Sequence, residues 1–187
     1  MSRPVRPNPA MLVVGILTAR RDRFPAVAER LAERFGAVDL VGPWWPFDFT
    51  DYYEAEMGAP LHRRMMAFRR LTAQSRLAEI KLATNAIEAD FLDGAGGRSV
   101  NIDPGHLLAE RFVLASGKNF THRIYVGRGI YADLTLVYRK GAFHSLPWTY
   151  PDYAGDRIQS FLQRARDRYR EAIRRREGAP RSTGRPG

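Results

Sequence analysis

The sequence predicts a single α+β domain in which a mixed, mostly antiparallel sheet carries its helices on one face. Three observations predict it. In the first hundred residues, apolar runs of strand length alternate with two stretches of helical spacing. A Gly-Arg-Gly turn between two alternating segments then marks a hairpin. A long amphipathic stretch follows near the C-terminus. The order is strand, helix, strand, strand, helix, strand, hairpin and helix, which suggests a ferredoxin-like core with an added hairpin and C-terminal helix.

Taken in order, residues 12–17 form a continuous apolar run, the mark of a buried central strand. Residues 24–35 put Val27, Ala28, Leu31 and Phe35 on one helical face, with Pro25 in the first turn and Gly36 at the end. Residues 38–41 alternate as a second strand, and an aromatic, acidic loop occupies 43–60. Residues 62–70 read as a third strand. Residues 74–92 are the clearest helix of the body, its stripe made of Leu77, Ile80, Thr84, Ile87 and Phe91. Residues 99–103 read as another strand. Asp103 before Pro104 has the order of an N-cap and a first-turn proline, which predicts a short helix over 104–115. Segments 123–126 and 130–138 flank Gly127-Arg128-Gly129 as a hairpin. A strand around Phe143 leads to a rigid aromatic loop over 146–153. Ile158, Phe161, Leu162, Ala165, Tyr169 and Ile173 then make the buried face of the last helix. The expected layout is a disordered tail over 1–10, one domain over 11–176 and a disordered tail over 177–187.

Composition narrows the function. With 187 residues, 44% of them apolar, the chain has the length for a full core. It has no cysteine, which excludes disulfides, thiolate metal sites and cysteine nucleophiles. No apolar run approaches the ~20 residues of a spanning helix, so neither a membrane span nor a signal peptide is expected, and a cytoplasmic protein is. The net charge of +10 gathers in the ends: residues 156–187 hold ten arginines against four acids, whereas 11–155 hold 18 basic and 16 acidic residues. A solvated arginine-rich helix accounts for this, and nucleic acid binding through that helix is the alternative.

Of the 30 basic residues only Lys81, Lys118 and Lys140 are lysines. A chain that uses arginine almost everywhere marks the places where a compact ammonium is kept. Lys81, Asn85 and Glu88 follow i, i+4, i+7 spacing and form a polar stripe on the rim of the core. Asn101 and Asp103 alternate on one side of a strand end, where a rigid scaffold holds them. Ser116, Lys118, His122 and Arg123 bring a hydroxyl, an amine, an imidazole and a guanidinium into eight residues, a set suited to phosphate or carboxylate. Tyr131 and Asp133 share one face of the hairpin across from it. Asp48, Asp51 and Glu56, with Glu88 and Asp103, are an oxygen-ligand set for Mg²⁺ if they converge. His62, His106 and His144 lack zinc spacing and read as surface or packing residues. No phosphate loop, dinucleotide fingerprint or nucleophile elbow is present.

These blocks together resemble the domain of unknown function 4416 family of bacteria and archaea. The resemblance runs from about Leu12 to about Tyr169. It is carried by Pro46-Phe47-Asp48-Phe49-Thr50-Asp51-Tyr52-Tyr53, Glu79-Ile80-Lys81-Leu82, Val100-Asn101-Ile102-Asp103-Pro104-Gly105, His122-Arg123-Ile124-Tyr125, Tyr138-Arg139-Lys140-Gly141 and Leu146-Pro147-Trp148-Thr149-Tyr150-Pro151-Asp152-Tyr153. All three lysines fall where the family has lysine. The chain departs from it at Gly117-Lys118-Asn119-Phe120, where Thr-Lys-Asp-Tyr is commoner. The resemblance implies no established activity; similar sequences are sometimes labelled GTP-binding.

The residues themselves lead to one expectation and one alternative. The first is a site for a small phosphate- or carboxylate-bearing ligand such as a nucleotide. It is bound by Lys81, Asn85, Asn101, Ser116, Lys118, Arg123, Tyr131, Asp48 and Asp51, with Asp103, Glu88 and His122 as the acid/base groups should the protein be an enzyme. The alternative is an RNA- or protein-binding module built on surface aromatics and the basic C-terminal helix.

Overall fold

All nine residues of β1 (Ala10–Thr18) are buried, so this strand is covered on both faces and its sequence is apolar without alternation. The computed structural model describes residues 3–94 and 96–178. After β1 come α1 (Phe24–Phe35), β2 (Val38–Val41), β3 (Trp45–Pro46), α2 (Glu54–Met57), β4 (His62–Thr72), α3 (Leu77–Ala89) and β5 (Asn101–Leu107). The chain continues as β6 (Arg111–Ser116), β7 (Arg123–Gly127), β8 (Ile130–Arg139), β9 (Ala142–Ser145), α4 (Pro151–Ala154) and α5 (Asp156–Gly178). One sheet results, ordered β2-β4-β1-β5-β6-β8-β7, with β3 added to β4 and β9 to β8. Every strand pairing among the described residues is antiparallel, where a mixed but mostly antiparallel sheet was expected.

The helices cover both faces. Leu12, Val14 and Ile16 of β1 pack with Val27 and Leu31 of α1 and Ile80 and Ile87 of α3. Met11 and Val13 point the other way and join Phe161, Leu162 and Ala165 of α5. One-sided packing, as expected from the sequence, therefore holds for α1 and α3 but not for α5. The physical reason lies in β1 itself, since a strand apolar on both sides needs two covers. The predicted C-terminal stripe is confirmed, with Ile158, Phe161, Leu162, Ala165 and Tyr169 all buried. Among the described residues no helix is long and apolar enough to cross a membrane.

Two termini differ slightly from expectation. Ala10 already belongs to β1, and the carbonyls of Asn8 and Pro9 accept hydrogen bonds from Gln74 and Tyr169. At the other end α5 runs through Gly178, and the rest of the expected C-terminal tail lies outside the described residues. Turns follow their residues more closely. Gly127, Arg128 and Gly129 all have positive φ, at 99°, 58° and 76°, which makes the predicted β7–β8 hairpin turn one that only a glycine-rich triplet forms cheaply.

The predicted helix over 104–115 is instead the β5–β6 hairpin. Pro104 pairs with Val14 of β1, and β5 pairs with β6 only from Gly105 to Leu107. Pro104 thus lies where β5 has no strand on its second side, and its missing N–H costs the ladder nothing. Gly105 admits the close approach of β6: a Cβ there would stand 2.7 Å from the Phe112 ring.

His106 follows in β5, opposite Leu12 and 3% exposed, with Nε2 lacking a hydrogen-bond partner. Burial pushes its pKa down from 6.5 to about 4. Between those values the unfolded chain binds a proton that the folded chain refuses, so acid destabilises the fold. Urea unfolding at pH 7 and pH 5 is expected to show a loss of about 2 kcal/mol from this group alone. His106→Leu should remove most of that difference. An unchanged pH dependence in the variant would assign it elsewhere.

Candidate functional site

Side chains at one end of the sheet, where Leu17 pairs with both Arg63 and Asn101, are polar against the apolar pattern of the rest. Arg63 of β4 alternates with Met65 and Ala67, so it faces the α5 side and enters the core with a side chain only 5% exposed. Its Nη1 lies 3.1 Å from Oδ2 of Asp103, and its Nε 2.9 Å from Oδ2 of Asp152 at the start of α4. The first contact is an aligned hydrogen bond. The second is close without alignment, since neither Nε nor Oδ2 of Asp152 completes a hydrogen bond. The guanidinium also lies 5.2 Å from the Phe47 ring centroid and 5.5 Å from that of Tyr153. Burial disfavours the charge on Arg63, and Asp152, Tyr153 and Asp103 more than restore it. Gly15 makes room: a Cβ would stand 2.8 Å from both Arg63 Nη1 and the Tyr153 hydroxyl.

Asp103 is the hub. Its Oδ2 also accepts from Asn101 Nδ2 at 2.8 Å, and its Oδ1 lies 3.9 Å from Lys81 Nζ. Burial pushes this carboxyl up, but Lys81 and Arg63 outweigh that and hold it below the ordinary aspartate value. Over the hub lies Tyr53, half-buried, with its phenol pushed up to about 12 by burial and by Asp103.

From the other face α3 reaches the same strand. Lys81 Nζ donates to the Ile102 carbonyl at 2.8 Å, and Ile102 N–H donates to Glu88 Oε1 at 2.6 Å. The two side chains, two helical turns apart and 3.8 Å from each other, supply both backbone partners that a neighbouring strand would have given Ile102. Burial pushes the Glu88 carboxyl up, opposed by Lys81 and the Ile102 N–H. Arg98 closes the group at the surface by clamping Glu56 with two bonds of 2.7 and 2.6 Å and donating to Asn101 Oδ1 at 3.2 Å. The expected rim stripe is therefore split. Lys81 and Glu88 are buried, while Asn85 is exposed and contributes to neither partner.

A second cluster lies across the sheet on the α5 side. Register places Asp133 of β8 between Leu114 of β6 and Arg123 of β7. Its Oδ2 accepts from Arg123 Nε at 2.9 Å and lies 3.2 Å from His122 Nε2. A carboxylate only accepts, so it fixes the proton of neutral His122 on Nε2. The His122 ring stacks on Trp148, with centroids 5.1 Å apart. Arg123 Nη1 reaches Ser116 Oγ and the Lys118 carbonyl, both at 3.0 Å. Ser116 pairs with Tyr131 in register.

Lys118 links the two clusters. It is exposed, its Nζ donates to the Tyr52 hydroxyl at 3.3 Å, and it stands 4.8 Å from that ring. Tyr52 in turn packs edge-on against Tyr53, which covers Asp103. The structure thus brings Asn101, Asp103, Ser116, Lys118, His122, Arg123, Tyr131 and Asp133 to one end of one sheet face. Asp48 and Asp51 stay exposed on the aromatic loop. The expected Mg²⁺ set does not assemble: among the described residues no group of three His, Asp or Glu side chains could hold a metal ion. Glu56, Glu88 and Asp103 are each bound to cations or backbone instead.

Arg63 and Asp152 belong to this charge network and are not among the residues expected there from the sequence. One signal was available for the first, because strand alternation from Met65 and Ala67 puts Arg63 on the core side. Asp152 gave none, since only the fold carries residue 152 back to residue 63.

The chain belongs to the family described as Domain of unknown function (DUF4416), whose profile matches residues 8–169. Comparison with curated proteins and with solved structures gives no match.

The pairing of α3 with Ile102 has a measurable consequence. Glu88→Ala should cost about 3 kcal/mol in urea unfolding, because it strands a buried N–H and the Lys81 charge. Apolar replacement of both partners often rescues a buried ion pair. Here the double change Lys81→Met with Glu88→Leu should not, because both backbone groups of Ile102 then lose their partners. Recovery to wild-type stability would show those backbone bonds to be incidental.

Proposed function

We propose that this protein binds a small phosphate- or carboxylate-bearing ligand, with a nucleotide as the chemistry that fits best, at the end of the sheet face where Lys118 stands. One observation carries the reading. Lys118 is exposed and, among the described residues, has no carboxylate in ion-pair range, and it sits beside the Ser116 hydroxyl and Arg123 within a ring of exposed aromatics. Tyr52 touches Lys118, Phe120 and Trp148 flank His122, and all three rings are exposed. An ammonium and a guanidinium suit a phosphate, and ring faces suit a base. Asp103 and Asn101 supply a fixed acceptor and amide on the floor, held by Arg63 and Arg98.

Arg63, Lys81 and Glu88 are read as scaffold under this proposal, since they are buried in ion pairs with protein groups. Should the ligand be turned over, His122 is the proton carrier, its tautomer held by Asp133. The β2-β4-β1-β5 order with its β-α-β-β-α-β connectivity supports a ferredoxin-like core, with β6 to β9 forming the half of the sheet that bears Lys118 and His122.

Thermal-shift measurements with inorganic phosphate, sugar phosphates and nucleoside mono-, di- and triphosphates, with and without Mg²⁺, test this. At a hundred times its Kd a true ligand should raise Tm by roughly 5–10 °C. Lys118→Ala, an exposed change, should weaken binding about tenfold or more, as loss of a charge-assisted contact does. No shift with any of these anions, or an equal shift in the variant, would overturn the reading.

A further inference from the structure

A second basic feature lies at the opposite end of the sheet, where Met11 pairs with Leu71. Between the end of β4 and the C-terminal half of α5 runs a groove of about 660 Å³. Met11, Leu71 and Ala172 give it an apolar lining, and Arg69, Arg70, Arg168, Arg175 and Arg176 surround it against two acids, Asp39 and Glu171. Asp39 holds Arg168 at 3.2 Å and Arg69 at 3.7 Å, which sets their guanidinium groups at the mouth. Arg175 is paired with Glu171 along the helix. Arg176 is exposed and, among the described residues, has no carboxylate in ion-pair range, while the exposed Arg69 is held only by the 3.7 Å contact to Asp39. Five guanidinium groups against two carboxylates leave a surplus of three positive charges around one groove.

The other flank of α5 repeats the pattern. A groove of about 360 Å³ there is lined by Arg111, Arg170 and Arg174 with Tyr169 and Gln74, against one acid, Glu110, which pairs with Arg111 at 2.6 Å. Arginines on both sides of one helix suit an extended polyanion more than a single small anion. Guanidinium groups match phosphodiester oxygens in a forked geometry. The apolar lining suits sugar or base surface. A membrane is the poorer fit, because a helix lying on lipid inserts its apolar face. The apolar face of α5 is already buried in the core through Ile158, Phe161, Leu162, Ala165 and Tyr169.

We infer that the two grooves flanking the C-terminal half of α5 form a binding surface for the phosphodiester backbone of a nucleic acid. It is separate from the Lys118 site and does not depend on it. Binding through it is governed by charge and insensitive to base sequence.

Fluorescence anisotropy on the full chain, with a labelled single-stranded RNA, the matching DNA strand and both duplexes, tests the inference. Affinity should fall steeply with salt. Arg69→Ala with Arg176→Ala should weaken binding at least tenfold and reduce the slope of log Kd against log salt by about 1.4 on single strands. Arg157→Ala, exposed near the start of α5 and outside both grooves, should bind as wild type. Circular dichroism should show all three folded. Whichever strand type binds tightest identifies the source of the backbone. No binding at about 50 mM salt, where such contacts are strong, would overturn the inference. So would equal losses in the Arg157 variant, or groove-dependent binding to phosphatidylserine vesicles without any to nucleic acid.

Discussion

Ile102 has a strand on one side only, and α3 completes the other with two side chains. Lys81 gives its carbonyl a donor and Glu88 gives its N–H an acceptor, both within the buried interior. Much of the remaining architecture depends on this contact. It holds α3 against β5, tolerates Pro104 in a strand that has no second neighbour there, and presents Asp103 on the opposite face with its carboxylate near the same lysine. Arg63 then anchors Asp103 from β4 and reaches Asp152 at the start of α4. Through these residues the charge network ties β4, α3, β5 and α4 together. A cost follows, since each charge in it is taken from water and must be matched by geometry.

This network also fixes the polar end of the sheet in one arrangement. Asp103, the partly exposed group, is held by buried Arg63 and by buried Asn101, the arrangement in which a carboxylate keeps its position. Across the sheet Asp133 does the same for His122 and Arg123. The three lysines separate into three roles. Lys81 is internal scaffold. Lys118 is exposed at the rim, steadied by Tyr52. Lys140 is exposed in the β8–β9 turn with φ of 48°, away from both clusters' contacts.

Strand and helix limits were largely legible in the residues. The helix over 24–35, the strand over 38–41 and the hairpin around Gly127 to Gly129 follow from local period and turn chemistry, which need no knowledge of the rest of the chain. The segment after Asp103 misled for a physical reason. Asp-Pro is an N-cap signal, and only the strand arriving as β6, close against Gly105, makes it extended. Asn101 and Asp103 meet as expected, because alternation puts neighbours of one parity together. Asn85 was misplaced because helical spacing says which residues share a stripe without saying where the core boundary crosses it.

What the sequence determined by itself was the apolar periodicity of each element, the rarity of lysine and the segregation of arginine to the ends, because these depend on residues near one another in the chain. Only the tertiary structure decided that α5 covers the second face, that residues 63, 103 and 152 share one charge network, and that Lys81 donates to the Ile102 carbonyl. Those outcomes depend on strand order and register. A buried ion must find its partner wherever the fold brings one within reach, and sequence distance sets no limit on that.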